Sequence, residues 1–178
     1  MVTSPSAPVV DPRLATIWSA LGEVPDPEIP AISVVDLGVI GDARFEPIEA
    51  GERLVVDLMP TFVGCPATEV MRDQVGERLR TLQIADEVEV RVSFSPPWTS
   101  DRITPAGREA LRGSGFAPPS GVALSFAPGD LLTMLPSAIC PYCGSRNTTL
   151  ENPFGPTLCR SIHHCADCRQ PFEAFKPV

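Results

Sequence analysis

Apolar residues recur along the chain in two rhythms, one of helices and one of strands. After Asp11-Pro12, an acidic cap followed by a proline, Leu14, Ile17, Trp18 and Leu21 fall at i, i+3, i+4 and i+7. One face of this helix is apolar, and Gly22 and Pro25 end it. A strand is predicted from about Val39 to Glu46, a hairpin loop over Pro47 to Glu52, and a returning strand over Arg53 to Met59. From Pro66 to Leu82 the helical rhythm returns, with Ala67, Val70, Met71, Val75, Leu79 and Leu82 on one face. Val88, Val90, Val92 and Phe94 then alternate with polar residues, as in a half-buried strand. The order α-β-β-α-β predicts a small α+β domain with its helices on one face of the sheet. Thr104-Pro105 opens a further helix, which Gly113 and Gly115 stop. Phe116 to Pro136, punctuated by Pro and Gly, reads as a linker. The expected division is a disordered tail at 1–10, an α/β domain at 11–116, a linker at 117–136 and a small module at 137–178.

A chain of 178 residues, 43% of them hydrophobic, can hold one packed core plus something small. No apolar run is as long as a membrane span. Met1 to Val10 has no basic start and no long apolar run, so it reads as a tail rather than a signal peptide. That places the protein in the cytoplasm, where clustered cysteines suggest metal rather than disulfides. The net charge of −8 is uneven: residues 1–136 hold 10 Arg against 19 Asp and Glu, whereas 137–178 hold 4 Lys and Arg against 3. An acidic body argues against nucleic-acid binding.

Five of the six cysteines lie in the near-neutral tail. Cys140-Pro-Tyr-Cys143-Gly and Cys165-Ala-Asp-Cys168-Arg are two C-x-x-C knuckles, the spacing of a four-cysteine zinc ribbon. A segment of this size buries little by itself, so metal would supply much of its folding free energy. Iron, or an iron–sulfur cluster, on the same four thiolates is the alternative. Cys159 is a fifth tail cysteine, a possible extra ligand or a free thiol, and His163 and His164 are expected on a ribbon strand with one facing out. In the body, Met59 to Ala67 is a strand-to-helix loop with Cys65 at its end. Cys65 is expected at the N-cap, with Pro66 at the first helical position. The free N–H groups there would favour an exposed thiolate of lowered pKa. A small apolar residue packed under the loop is the other reading. Asp26 and Glu28 lie in the rigid turn Asp26-Pro27-Glu28-Ile29-Pro30, a solvated loop on composition alone.

Together, Asp26-Pro27-Glu28-Ile29-Pro30, Val34-Val35-Asp36-Leu37-Gly38 and Gly64-Cys65-Pro66-Ala67 resemble the SufT-like iron–sulfur assembly domains. Three later stretches are similar to the PaaD (also PaaJ) family of accessory subunits of the phenylacetyl-CoA epoxidase system. These are Trp98-Thr99-Ser100-Asp101 with Thr104 and Gly107-Arg108, Cys140 to Ser145, and Phe154 to Lys176. The resemblance spans roughly residues 11–178 and departs from the pattern at Arg102, where an aromatic is expected, and at Arg160-Ser161. It implies a SufT-like α/β domain followed by a zinc ribbon. It implies an accessory role in aerobic phenylacetate degradation, assisting assembly of an iron or iron–sulfur centre in the oxygenase or reductase partners. It also implies a Cys65 thiolate, beside the Asp26/Glu28 turn, that transiently holds iron or a cluster. The chain has no Glu-x-x-His pairs for a di-iron site and no dinucleotide fingerprint, so it is neither the oxygenase nor the reductase. Two other classes stay open: a thiol enzyme with Cys65 as nucleophile, and a zinc-ribbon module binding protein or nucleic acid.

Overall fold

A computed structural model gives the structure over residues 11–119 and 138–177. The expected tail at 1–10 and nearly all of the expected linker lie outside the described residues. Asp11 caps the first helix as its sequence suggests, its Oδ1 accepting from the Arg13 N–H at 2.9 Å. Helix α1 runs over Arg13–Leu21 and buries Ile17, Ala20 and Leu21. Strands β1 (Ile40–Ile48) and β2 (Gly51–Leu58) form an antiparallel hairpin in which Ile48 faces Gly51. The connection is therefore the two residues Glu49 and Ala50, tighter than the loop expected over 47–52. Pro47 lies within β1, an edge strand, where a residue without an N–H is tolerated.

Helix α2 (Ala67–Arg80) carries the chain from β2 to β3 (Glu87–Val92), which lies parallel to β2. It buries Ala67, Met71, Val75 and Leu79, whereas Val70, expected on the same stripe, is exposed. Phe94, expected to continue β3, lies beyond the strand and is exposed. Leu54, Val56 and Leu58 of β2 enter the core together with Ile17 and Leu21. The alternate β2 positions, Arg53 and Asp57, belong to the opposite face. There Arg44, Arg53 and Arg91 are each bracketed by carboxylates from Glu46, Asp57, Glu87 and Glu89. On that face every arginine is paired, and the carboxylates outnumber the arginines.

Asp36 is the anchor of the next segment. Its Oδ1 accepts from the Thr104 hydroxyl at 2.6 Å and its carbonyl accepts from the Thr104 N–H at 2.9 Å. Thr104 in turn caps helix α3 (Pro105–Gly113) through the Gly107 N–H. Trp98 is buried and donates Nε1–H to the Leu37 carbonyl. Arg102, the departure from the family pattern, donates to the carbonyls of Gly38 and Ile40.

Phe116–Ala117 form a short strand, β4, although Pro/Gly punctuation puts them at the start of the linker. Two residues carry no periodicity to read. β4 lies parallel to β7 (Pro171–Phe175) at the edge of a second sheet, in the order β4-β7-β6-β5, with β5 at Thr148–Asn152 and β6 at Arg160–Cys165. This sheet does not stand apart from the body. Phe175 is buried in the body's core, and Phe116 and Cys159 pack against it. The expectation that a linker keeps the ribbon separate is thus revised: apolar side chains from both sheets share one core.

Candidate functional site

The two knuckles are built alike. The Gly144 N–H returns to the Cys140 carbonyl and the Arg169 N–H to the Cys165 carbonyl, both at 2.9 Å. Gly144 (φ 74°) and Arg169 (φ 60°) both take the left-handed conformation that the sharp turn requires. Asp167 ties the knuckles together by accepting from Ser145 and Asn147. The sulfurs of Cys140, Cys143, Cys165 and Cys168 all lie within 4.8 Å of one another. Cys140 and Cys168, and likewise Cys143 and Cys165, are 3.6 Å apart. A tetrahedral ion with 2.3 Å bonds to sulfur requires separations of about 3.8 Å. A disulfide requires about 2 Å, and all six cysteines are free. The donor set therefore fits one mononuclear tetrahedral ion. Neither histidine joins it. His163 is buried on β6, stacked on Phe172 at 5.5 Å with Nε2 3.0 Å from Ser161 Oγ, and His164 is half-buried.

Cys65 belongs to a different place. It immediately precedes Pro66, whose backbone is already helical (φ −64°, ψ −23°), so it stands at the mouth of α2. Gly64 has φ 83°, and a Cβ there would meet nothing within 4 Å, so glycine serves the turn rather than a close approach. The thiol is half-buried, and burial pushes it above its ordinary value. The Ala67 N–H pulls it down, the charges of Glu28 and Cys159 push it further up, and Thr68 pulls it down again by a hydrogen bond. The expected exposed thiolate of lowered pKa is thus corrected. The helix N-terminus acts as foreseen, but burial and two neighbouring acids outweigh it.

Those neighbours come from both halves of the molecule. A cavity of about 170 Å³ lies between the Thr61–Pro66 loop and residues 155–159, the segment between β5 and β6. Cys65 lines one wall and Cys159 the other. Phe62, Val63 and Leu158 are exposed beside it. Asp26 and Glu28 turn out to differ. Asp26 Oδ1 accepts from the N–H groups of Glu28 and Ile29 at 2.9 and 2.8 Å, so its carboxylate shapes the turn. Burial pushes the Asp26 carboxyl up, while the two N–H groups and Arg160 pull it down. Glu28 is the group whose charge reaches Cys65, and it lies 3.4 Å from Arg160 Nη2. Arg160 is itself buried. Its Nη1 is 3.0 Å from Glu173 Oε2, an ion pair too bent to count as a hydrogen bond, and its guanidinium lies over Phe116. No spacing in the sequence could have joined Cys159 and Arg160 to Cys65. The only signal was their place in the family resemblance.

Residues 14–92 match the iron–sulfur cluster assembly protein family, and residues 130–176 match the PaaD zinc beta ribbon domain. An Escherichia coli (strain K12) protein, described as a candidate component of 1,2-phenylacetyl-CoA epoxidase, is 36% identical over 97% of this chain and 98% of its own length. The chain belongs to the PaaD family. The PaaD ribbon match contains all five tail cysteines, whereas the assembly-domain match contains Cys65, Asp26 and Glu28. The first part is shared more widely. YitW of Bacillus subtilis (strain 168), an Fe-S protein maturation auxiliary factor, is 32% identical over 53% of this chain and 89% of its own length. SufT of Staphylococcus aureus (strain USA300), described likewise, is 32% identical over 48% of this chain and 93% of its own length. A PaaD chain is thus an α+β domain of the SufT-like type followed by a four-cysteine ribbon. Among the described residues no helix is long and apolar enough to cross a membrane.

Proposed function

We propose that this PaaD chain is a non-catalytic component of a phenylacetyl-CoA epoxidase system that assists assembly of an iron or iron–sulfur centre in its oxygenase or reductase partner. The carrying observation is that Cys65 stands outside the four-sulfur cluster. It lines an open cavity, capped by the α2 N-terminus and faced by acidic groups. A structural ion uses up its four ligands and leaves no position open. A thiol that handles metal in transit needs the opposite: few ligands and access for a partner. In this reading zinc occupies Cys140, Cys143, Cys165 and Cys168 and folds the ribbon. Sulfur separations near 3.6 Å favour a single ion there over a cluster, whose thiolates sit on different metal atoms. A thiol enzyme is less well supported, because neither histidine is among the groups that act on Cys65 and burial pushes the thiol's pKa up rather than down.

The test is Cys65→Ala in a host that requires the epoxidase. Partner oxygenase or reductase purified from those cells is expected to lack at least half of its iron or cluster, with the variant itself folded. Fully loaded partners and normal growth on phenylacetate would remove the assembly role. Fully loaded but inactive partners that recover when the wild-type chain is added back would make it a docking subunit.

A further inference from the structure

The SufT-like part of the molecule ends long before residue 159, yet Cys159 faces Cys65 across the cavity. The geometry points to a second metal-binding site in this chain, formed by Cys65 and Cys159 together. It would take a thiophilic metal cargo, either a ferrous ion or a [2Fe–2S] core, between the two modules. The inference rests on the transfer role proposed for Cys65 and adds the ribbon as supplier of the second ligand.

Cys159 is prepared for this by its neighbours. Thr157 Oγ1 accepts from Arg160 Nε at 2.8 Å, which leaves the hydroxyl proton free to point at Cys159 Sγ, 3.2 Å away. A sulfur that receives a hydrogen bond is held in one direction. Lys176 lies close by, its Nζ donating to the Leu158 carbonyl and its N–H to the Cys159 carbonyl. Arg160 and Lys176 therefore supply positive charge on the ribbon side, and Glu28 supplies negative charge on the body side. The cavity of about 170 Å³ is larger than a single ion needs and adequate for a two-iron core. Two thiolates leave either cargo with open positions, as delivery requires.

The chemistry is ligand exchange without change of oxidation state. On loading, Cys65 and Cys159 each displace one ligand already on the iron, water in the case of the free ion, form a bond to iron and release one proton to water. On delivery, two ligand groups of the partner bond the iron as the Cys65 and Cys159 bonds break. The protons those partner groups lose are balanced by protons taken up at the two freed thiolates.

The full chain, with zinc in its ribbon, would be incubated without oxygen with Fe²⁺ alone or with Fe³⁺ and sulfide. It would then be pulsed with iodoacetamide and mapped by mass spectrometry. In at least one arm Cys65 and Cys159 are expected to be protected together, each labelling at least tenfold more slowly than without iron. The arm that protects identifies the cargo as ion or cluster, and only the second should give visible absorbance. Cys159→Ser is expected to keep the ribbon zinc and to abolish protection of Cys65. Protection of Cys65 that persists in Cys159→Ser would overturn the two-thiol site and leave the transfer role of Cys65 standing. A wild-type chain in which Cys159 labels equally fast with and without iron would also overturn it, whether or not the variant folds. The transfer role itself is decided separately, by iron in the partner from Cys65→Ala cells.

Discussion

Asp26 is only 6% exposed, and its two backbone hydrogen bonds do not fully offset the cost of burying its charge. Its folded pKa is raised above the ordinary 3.8, so the folded state binds the proton more tightly than the unfolded chain. The stability it contributes is complete below 3.8 and is lost as pH rises through the raised value. Asn in its place keeps the Oδ1 acceptor for both N–H groups and removes the charge. Asp26→Asn is therefore expected to gain stability relative to wild type as pH rises from 3.8 towards neutrality. Urea unfolding of the two proteins across that range measures the difference, and a constant difference would show that Asp26 does not titrate with folding. Glu28, two residues on, was indistinguishable from Asp26 in the sequence. Only the turn geometry separates the residue that shapes the loop from the one whose charge acts on Cys65.

Helix α3 shows what a single element demands of its neighbours. A Cβ on Gly107 would lie 2.5 Å from the Asp36 carbonyl oxygen and 3.0 Å from its carbon, both backbone atoms that cannot yield. Gly107→Ala is expected to push α3 off Asp36, strain the Thr104 cap and cost about 2–3 kcal/mol. Gly113→Ala, on the same helix with open space around it, is expected to be neutral or to gain up to about 1 kcal/mol from helix propensity. Equal effects of the two in denaturant titrations would contradict the close approach. Such contacts mark the limit of sequence reading here. Helices α1, α2 and α3 and the strands β1 to β3 were legible because each repeats its own apolar period or carries its own cap. The knuckles were legible because each is four residues long. The residues Asp36, Gly38, Trp98, Thr104 and Gly107, which carry part of the family resemblance, bolt two segments together. The pairing of Cys65 with Cys159 was invisible because it exists only once the two sheets meet.

In the whole molecule the ribbon and the body depend on each other. Phe175 is buried in the body's core, Phe116 packs beside it, and Arg160 reaches from the ribbon to Glu28. Cys143→Ser is therefore expected to release the ribbon's ion, as elemental analysis would report, and also to lower the unfolding temperature of the body by several degrees. An unchanged melting of the α+β part would mean that the two are energetically separate. The parallel pairing of β4 with β7 adds something about how the fold is reached. It joins residues at position 116 to residues at position 173, and such distant contacts are entropically costly to close and slow to form. An ion held by Cys140, Cys143, Cys165 and Cys168 clips together two points inside that span. It takes the intervening segment out of the search, so β4 and β7 must find each other across a far shorter effective chain. Metal loading is thus a matter of folding speed as well as of stability: the ribbon that has its ion is the one that closes promptly onto the body.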